Sequence, residues 1–136
     1  MEKFLIHIDG ASKGNPGKSA YGIVIFKNGK IYKRIGDYIG ITTNNIAEYL
    51  ALIFALIECL PFKESEIEIR SDSQLLVKQI KGEYKVKDNK LLIFHKIATF
   101  LLSKYNNIRI IQVSREENKM ADSVANSFIE NNKGLF

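Results

Sequence analysis

Residues 20–38 read AYGIVIFKNGKIYKRIGDY. Two strand-like runs, Ala20 to Phe26 and Lys30 to Tyr38, flank Asn28-Gly29, the strongest short hairpin signal, because a tight primed turn needs positive φ at its centre. Upstream, the apolar run Phe4 to Ile8 ends at Asp9-Gly10, and Ala11 to Gly17 reads as a loop whose glycines and proline forbid regular structure. The first three strands are therefore expected to form an antiparallel meander.

From Asn45 the pattern changes. Ile46, Ala47, Leu50, Ala51, Phe54, Ala55 and Ile57 put apolar residues on almost every face, as in a helix lying between layers, and Pro61 stops it. Ile67 and Ile69 mark a fourth strand, after which Ser71 and Asp72 introduce a short helix with Leu75, Leu76 and Ile80. Leu91, Phe94, His95, Ala98, Leu101 and Leu102 recur at helical spacing, Ile108 to Val113 is a fifth strand, and Met120, Val124 and Phe128 place a last helix. Three antiparallel strands, then alternating helices and two more strands, predict an α/β fold, a mixed five-stranded sheet with helices on its faces. Right-handed crossovers restrict how strands four and five add beside strand one. No repeat or linker interrupts the chain, so residues 1–136 are expected to form one domain.

Composition bounds the partners. With 20 Lys plus Arg against 15 Asp plus Glu the net charge is +5, a modest bias toward an anionic partner. The single cysteine, Cys59, forbids an internal disulfide and suits a reducing compartment, and reads as a small buried hydrophobe near a helix end. The longest apolar run, Tyr49 to Ile57, is closed by Glu48 and Glu58 and falls far short of the ~20 residues a membrane span requires. Met1-Glu2-Lys3 runs straight into a strand pattern, leaving no room for a signal peptide. A cytoplasmic protein without a membrane partner is expected.

Four carboxylates stand at informative places. Asp9 ends strand one, Glu48 lies in the first turn of the first helix, Asp72 follows strand four, and Asp122 is on the last helix. Each has a local explanation: an Asp-Gly turn for Asp9, a capping box with Asn45 for Glu48, a helix cap for Asp72, a solvated surface acid for Asp122. Together they mean more, since ligand sites in α/β sheets gather at the carboxyl ends of neighbouring strands. Clustered carboxylates raise one another's pKa and persist only if protonated or neutralised. An oxygen-only ligand set selects a hard ion such as Mg²⁺ or Mn²⁺.

The strings Asp9-Gly10-Ala11-Ser12-Lys13-Gly14-Asn15-Pro16-Gly17, Thr42-Thr43-Asn44-Asn45-Ile46-Ala47-Glu48, Ser71-Asp72-Ser73-Gln74 and Asn118-Lys119-Met120-Ala121-Asp122 occur in that order over nearly the whole chain. They resemble type 1 ribonuclease H. The resemblance implies a ribonuclease H-like fold and a monomeric endonuclease that hydrolyses the RNA strand of RNA/DNA hybrids, leaving 5′-phosphate and 3′-hydroxyl ends. It implies that Asp9, Glu48, Asp72 and Asp122 are catalytic and hold two Mg²⁺ ions with substrate, Mn²⁺ being a substitute. Two ions ~3.5–4 Å apart can hold the attacking water and the leaving oxygen on opposite sides of one phosphorus.

Only RNA offers the 2′-hydroxyl, and the resemblance assigns its recognition to backbone groups of the glycine loop, among them Gly10 and Ser12, with Asn15, Asn45, Glu48 and Gln74. Thr43 and Asn44 match positions near a DNA phosphate pocket, where a helix start presents free N–H groups to anions. Asn15 could equally be a turn residue, Gln74 an exposed helix side chain and Thr43 a cap. Lys78, Lys81, Lys85, Lys87 and Lys90 could track a phosphate backbone or simply be solvated.

Departures from the family pattern concern rate and affinity. The connection Gly82 to Asn89 is short where many members carry a basic protrusion, Ile41 stands where some have arginine, and Ser114 to Lys119 lacks the loop histidine. Arg115 is the nearest substitute, able to hold a phosphate but not to accept a proton. His7 and His95 read as packing residues. Rival readings are a hybrid-binding module that has lost catalysis and an integrase-like or junction-cutting nuclease of the same architecture. An actin-like phosphotransferase needs a duplicated domain, for which the chain is too short.

Overall fold

Alternation along the first strands sorts their side chains onto two faces. In the computed structural model, which describes residues 2–131, this alternation builds a mixed sheet between two helical layers. The strands are β1 (Lys3–Gly14), β2 (Gly17–Lys27), β3 (Lys30–Thr42), β4 (Glu66–Ser71) and β5 (Asn107–Gln112). The helices are α1 (Asn44–Glu58), α2 (Gln74–Ile80), α3 (Asn89–Leu102) and α4 (Lys119–Glu130). The sheet order is β3-β2-β1-β4-β5, with β1, β2 and β3 antiparallel and β4 and β5 parallel to β1. The α/β architecture expected from the pattern is thus the one observed. Asn28 and Gly29 have φ of 50° and 84°, as a primed hairpin turn requires.

On one face the cross-strand pairs Ile6 with Ile25, Ile8 with Ile23 and Gly10 with Tyr21 lie beneath α1, where Leu52, Leu56, Ile67 and Ile69 complete the main core. The other face uses small residues, because α4 lies against nearly bare backbone. A Cβ on Gly22 would fall 2.4 Å from the Ala121 carbonyl oxygen. Ala11 and Ala20 pack there with Ala125 and Ile129. Cys59 is buried at the end of α1, as its sequence context suggested. Among the described residues no helix is long and apolar enough to cross a membrane.

Residues 11–17 correct the expectation of an irregular loop. β1 continues to Gly14 and β2 starts at Gly17, paired with each other, so only Asn15 and Pro16 form the tip. Glycine and proline discourage an isolated strand, but here the partner strand supplies the ladder and Gly14, at φ 112°, makes the turn. Pairing of β1 with β4 stops at Ile8 with Ser71. β1 runs on past that end, and the two parallel neighbours part there.

Candidate active site

Asp9 is the first β1 residue beyond the last β4 pair, so its side chain stands where the sheet opens. Its strand position removes the Asp-Gly turn as an explanation. Gly10 next to it lets α1 approach: a Cβ there would lie 2.4 Å from Ala47 C and Glu48 N. That contact brings Glu48 Oε1 to 2.7 Å from the Gly10 N–H, which it accepts.

Neither Glu48 nor Asp72 is occupied in capping. The α1 N-cap is Thr43, which accepts from the Ile46 N–H at 3.3 Å, and the α2 N-cap is Ser73, which accepts from Leu76 at 3.2 Å. Asp72 is therefore left facing the opening. Asp122, in the first turn of α4, accepts from Asn126 Nδ2 at 3.0 Å.

Carboxylate oxygens of Asp9, Glu48 and Asp72 lie within 4.8 Å of one another. Asp122 is outside that trio but close enough to Asp9 to help raise its carboxyl pKa. All four line one cleft of about 330 Å³. Asp9 and Glu48 are buried, at 5% and 4% exposure, while Asp122 is exposed.

Burial chiefly, and then the Glu48 and Asp72 charges, push the Asp9 carboxyl well above the usual carboxylate range. Burial likewise raises Glu48, opposed by the Gly10 hydrogen bond, and raises Asp72, opposed by its bond from Asn118 and by Arg115. The cations lining the cleft are Arg115 and Lys119, and Lys119 is paired with Glu116 at 2.9 Å. Two cations, one already engaged, leave this cluster short of positive charge. Its oxygen-only donors, held from four separate elements, fit a hard divalent ion.

The other residues singled out from the sequence divide into three places. Gly10, Ser12, Asn44 and Arg115 line the carboxylate cleft. Asn15, Thr43 and Asn45 line a separate groove with Ile41, Asp88 and Lys90. The Asn44 N–H donates to Asn15 Oδ1 at 3.0 Å and ties the hairpin tip to the start of α1. Gln74 is exposed on the first turn of α2. Of the lysine run, Lys78 sits 5.2 Å over the Tyr84 ring.

Sequence reasoning gave no role to Asn118, which is wholly buried, bonded to His7 and Ile8, and near enough to Asp72 to favour its charged form. The only signal was its place four residues before Asp122. His95 packs as expected, against Tyr49 and the Gln79 carbonyl, while His7 is buried with its ring edge-on to Phe26 and its Nδ1 at Asn118.

Comparison with known proteins agrees with this geometry. A family model described as reverse transcriptase-like matches residues 7–128. Ribonuclease HI of Halobacterium salinarum is 41% identical over 91% of this chain and 63% of its own length. A bifunctional protein of Mycobacterium tuberculosis is 35% identical over 94% of this chain, which spans 36% of that protein. The chain thus covers less than two thirds of either relative. The crystal structure of the Halobacterium RNase H1 superposes with a TM-score of 0.90 at 40% identity, over 95% of this chain and 98% of that one. LC11-RNase H1, solved in complex with an RNA/DNA hybrid, gives 0.86 at 39% identity over 93% and 96%. A closely superposing fold, a matching family model and these identities over nearly the whole chain lead to one conclusion: the chain belongs to the type 1 ribonuclease H family.

Proposed function

We propose that this chain is an endonuclease that hydrolyses the RNA strand of RNA/DNA hybrids, leaving 5′-phosphate and 3′-hydroxyl ends. The observation that carries the reading is the convergence of Asp9, Glu48 and Asp72 within 4.8 Å at the open end of β4, with Asp122 beside Asp9. These four residues would hold two Mg²⁺ ions, or Mn²⁺ in their place. When bound, such ions supply an activated water and charge compensation for the leaving oxygen.

The chain's own groups do the rest. The Gly10 N–H fixes the Glu48 carboxylate, and Asn118 fixes that of Asp72, so neither rotates away in the absence of substrate. Arg115, on the rim of the cleft, holds a phosphate of the bound strand. Ser12, Asn15, Asn45 and Gln74 with the Gly10 backbone read 2′-hydroxyls across the minor groove, and Thr43 and Asn44 steady the DNA strand at the start of α1.

Labelled hybrid, RNA duplex and DNA duplex are to be incubated with and without Mg²⁺. Cleavage of the hybrid alone, and only with the ion, is the expected outcome. Equal cutting of hybrid and DNA duplex removes the 2′-hydroxyl argument, and ion-independent retention of intact hybrid identifies a binding module instead.

A further inference from the structure

His7 lies two residues before Asp9 on the same face of β1, at 8% exposure, and the proposed reaction makes no use of its ring. Its Nδ1 stands 3.1 Å from Asn118 Oδ1. An amide oxygen can only accept, so Nδ1 carries the proton and donates it. Asn118 is itself wholly buried. Its Nδ2 donates to the Ile8 carbonyl at 2.8 Å, and the same side chain is close enough to Asp72 to favour the charged form of that carboxyl.

A primary amide has one accepting oxygen and two donor hydrogens. With the oxygen held by His7, the amide nitrogen faces the Ile8 carbonyl and keeps a second hydrogen to offer the nearby Asp72 carboxylate. Turned over, the amide would set its oxygen against the Ile8 carbonyl and toward the Asp72 carboxylate, acceptor against acceptor. One amide orientation thus ties together the backbone beside Asp9, the Asp72 side chain and the start of α4, which carries Asp122.

We propose that His7 is a positioning residue of the carboxylate site: its Nδ1–H locks the Asn118 amide, and so sets the spacing of Asp9 and Asp72 before a cation arrives. This rests on the proposed cation-dependent reaction, but it can be tested without it.

The full chain is compared with His7→Leu, which fills the space without a donor, and with His7→Asn, which restores an N–H near Nδ1. The first readout is the Asn118 side-chain amide in ¹⁵N-resolved spectra of the metal-free protein. Its protected, slowly exchanging signals are expected to persist in wild type and His7→Asn and to be lost in His7→Leu. The second is Mg²⁺ affinity from thermal shift, expected to weaken about tenfold in His7→Leu and to recover in His7→Asn, the effect typical of losing a partner that orients a ligand. For hybrid cleavage kcat falls with KM unchanged.

Unaltered amide signals and Mg²⁺ affinity in His7→Leu overturn the proposal, as does an equal loss in both variants, which marks a packing role. Should His7→Leu fail to fold, His7→Phe, matched to the ring's shape beside Phe26, carries the same comparison. If wild type binds Mg²⁺ with the expected amide signals yet leaves hybrid intact, the nuclease reading fails while the positioning role stands.

Discussion

Asp9→Asn is expected to lower hybrid cleavage by about a thousandfold or more while leaving the fold intact, because it removes one charge at the centre of the cluster without changing shape. The same substitution has an opposite effect on stability without metal. The Asp9 carboxyl is pushed up to about 10, chiefly by burial and then by its acidic neighbours. A folded-state pKa raised above the unfolded value of ~4 means that the native protein binds the extra proton, so stability falls as pH rises through the interval between the two. Asparagine carries no such cost. In EDTA at pH 8 the variant should melt roughly 4–8 °C above wild type, about 1–2 kcal/mol, with the gap closing toward pH 4. Melting curves across that range check it, and wild-type cleavage or a lower melting temperature at pH 8 would contradict the role of Asp9.

Gly10→Ala is expected to damage fold and site together. The added methyl would lie 2.4 Å from Ala47 C and Glu48 N, which are backbone atoms that cannot swing aside as a long side chain can. α1 must lift from the sheet, which costs about 3 kcal/mol or more as overpacking of a tight core contact. Lifting α1 also breaks the 2.7 Å bond that holds Glu48. The urea midpoint and hybrid cleavage should therefore fall in parallel. A variant with the wild-type midpoint and normal cleavage would show that the approach of α1 is not what positions Glu48.

Element order, strand pairing and both helical layers were legible because periodicity reports which face of each element is buried. The extent of β1 was not. Ala11 to Gly17 has the composition of a loop, and only the partner strand, pairing Ala11 with Ala20 and Ser12 with Ser19, makes it a ladder. Local composition cannot register a partner supplied by later residues.

The acids show the same limit from the other side. Read locally, Asp9, Glu48 and Asp72 could each serve a turn or a cap. In the fold Thr43 and Ser73 do the capping, and the carboxylates are left free for one another. Asn118 stood in a recognised string but without a role, because nothing near it in sequence reveals a bond to His7, 111 residues away. The substrate-reading residues divide between two clefts for a related reason: adjacent positions such as Asn44 and Asn45 at a helix start point in different directions.

The central claim is that mutual repulsion among carboxylates drawn from β1, α1, the end of β4 and α4 is reconciled by divalent cations in one cleft. Crystals grown with Mn²⁺ and a non-cleavable RNA/DNA hybrid, measured at the manganese absorption edge, test it directly. Anomalous peaks bound by Asp9, Glu48 and Asp72, with Asp122 completing the set and the RNA phosphate against them, are the expected result. A bound hybrid with no manganese in that cleft, or with manganese held only by other residues, would contradict it.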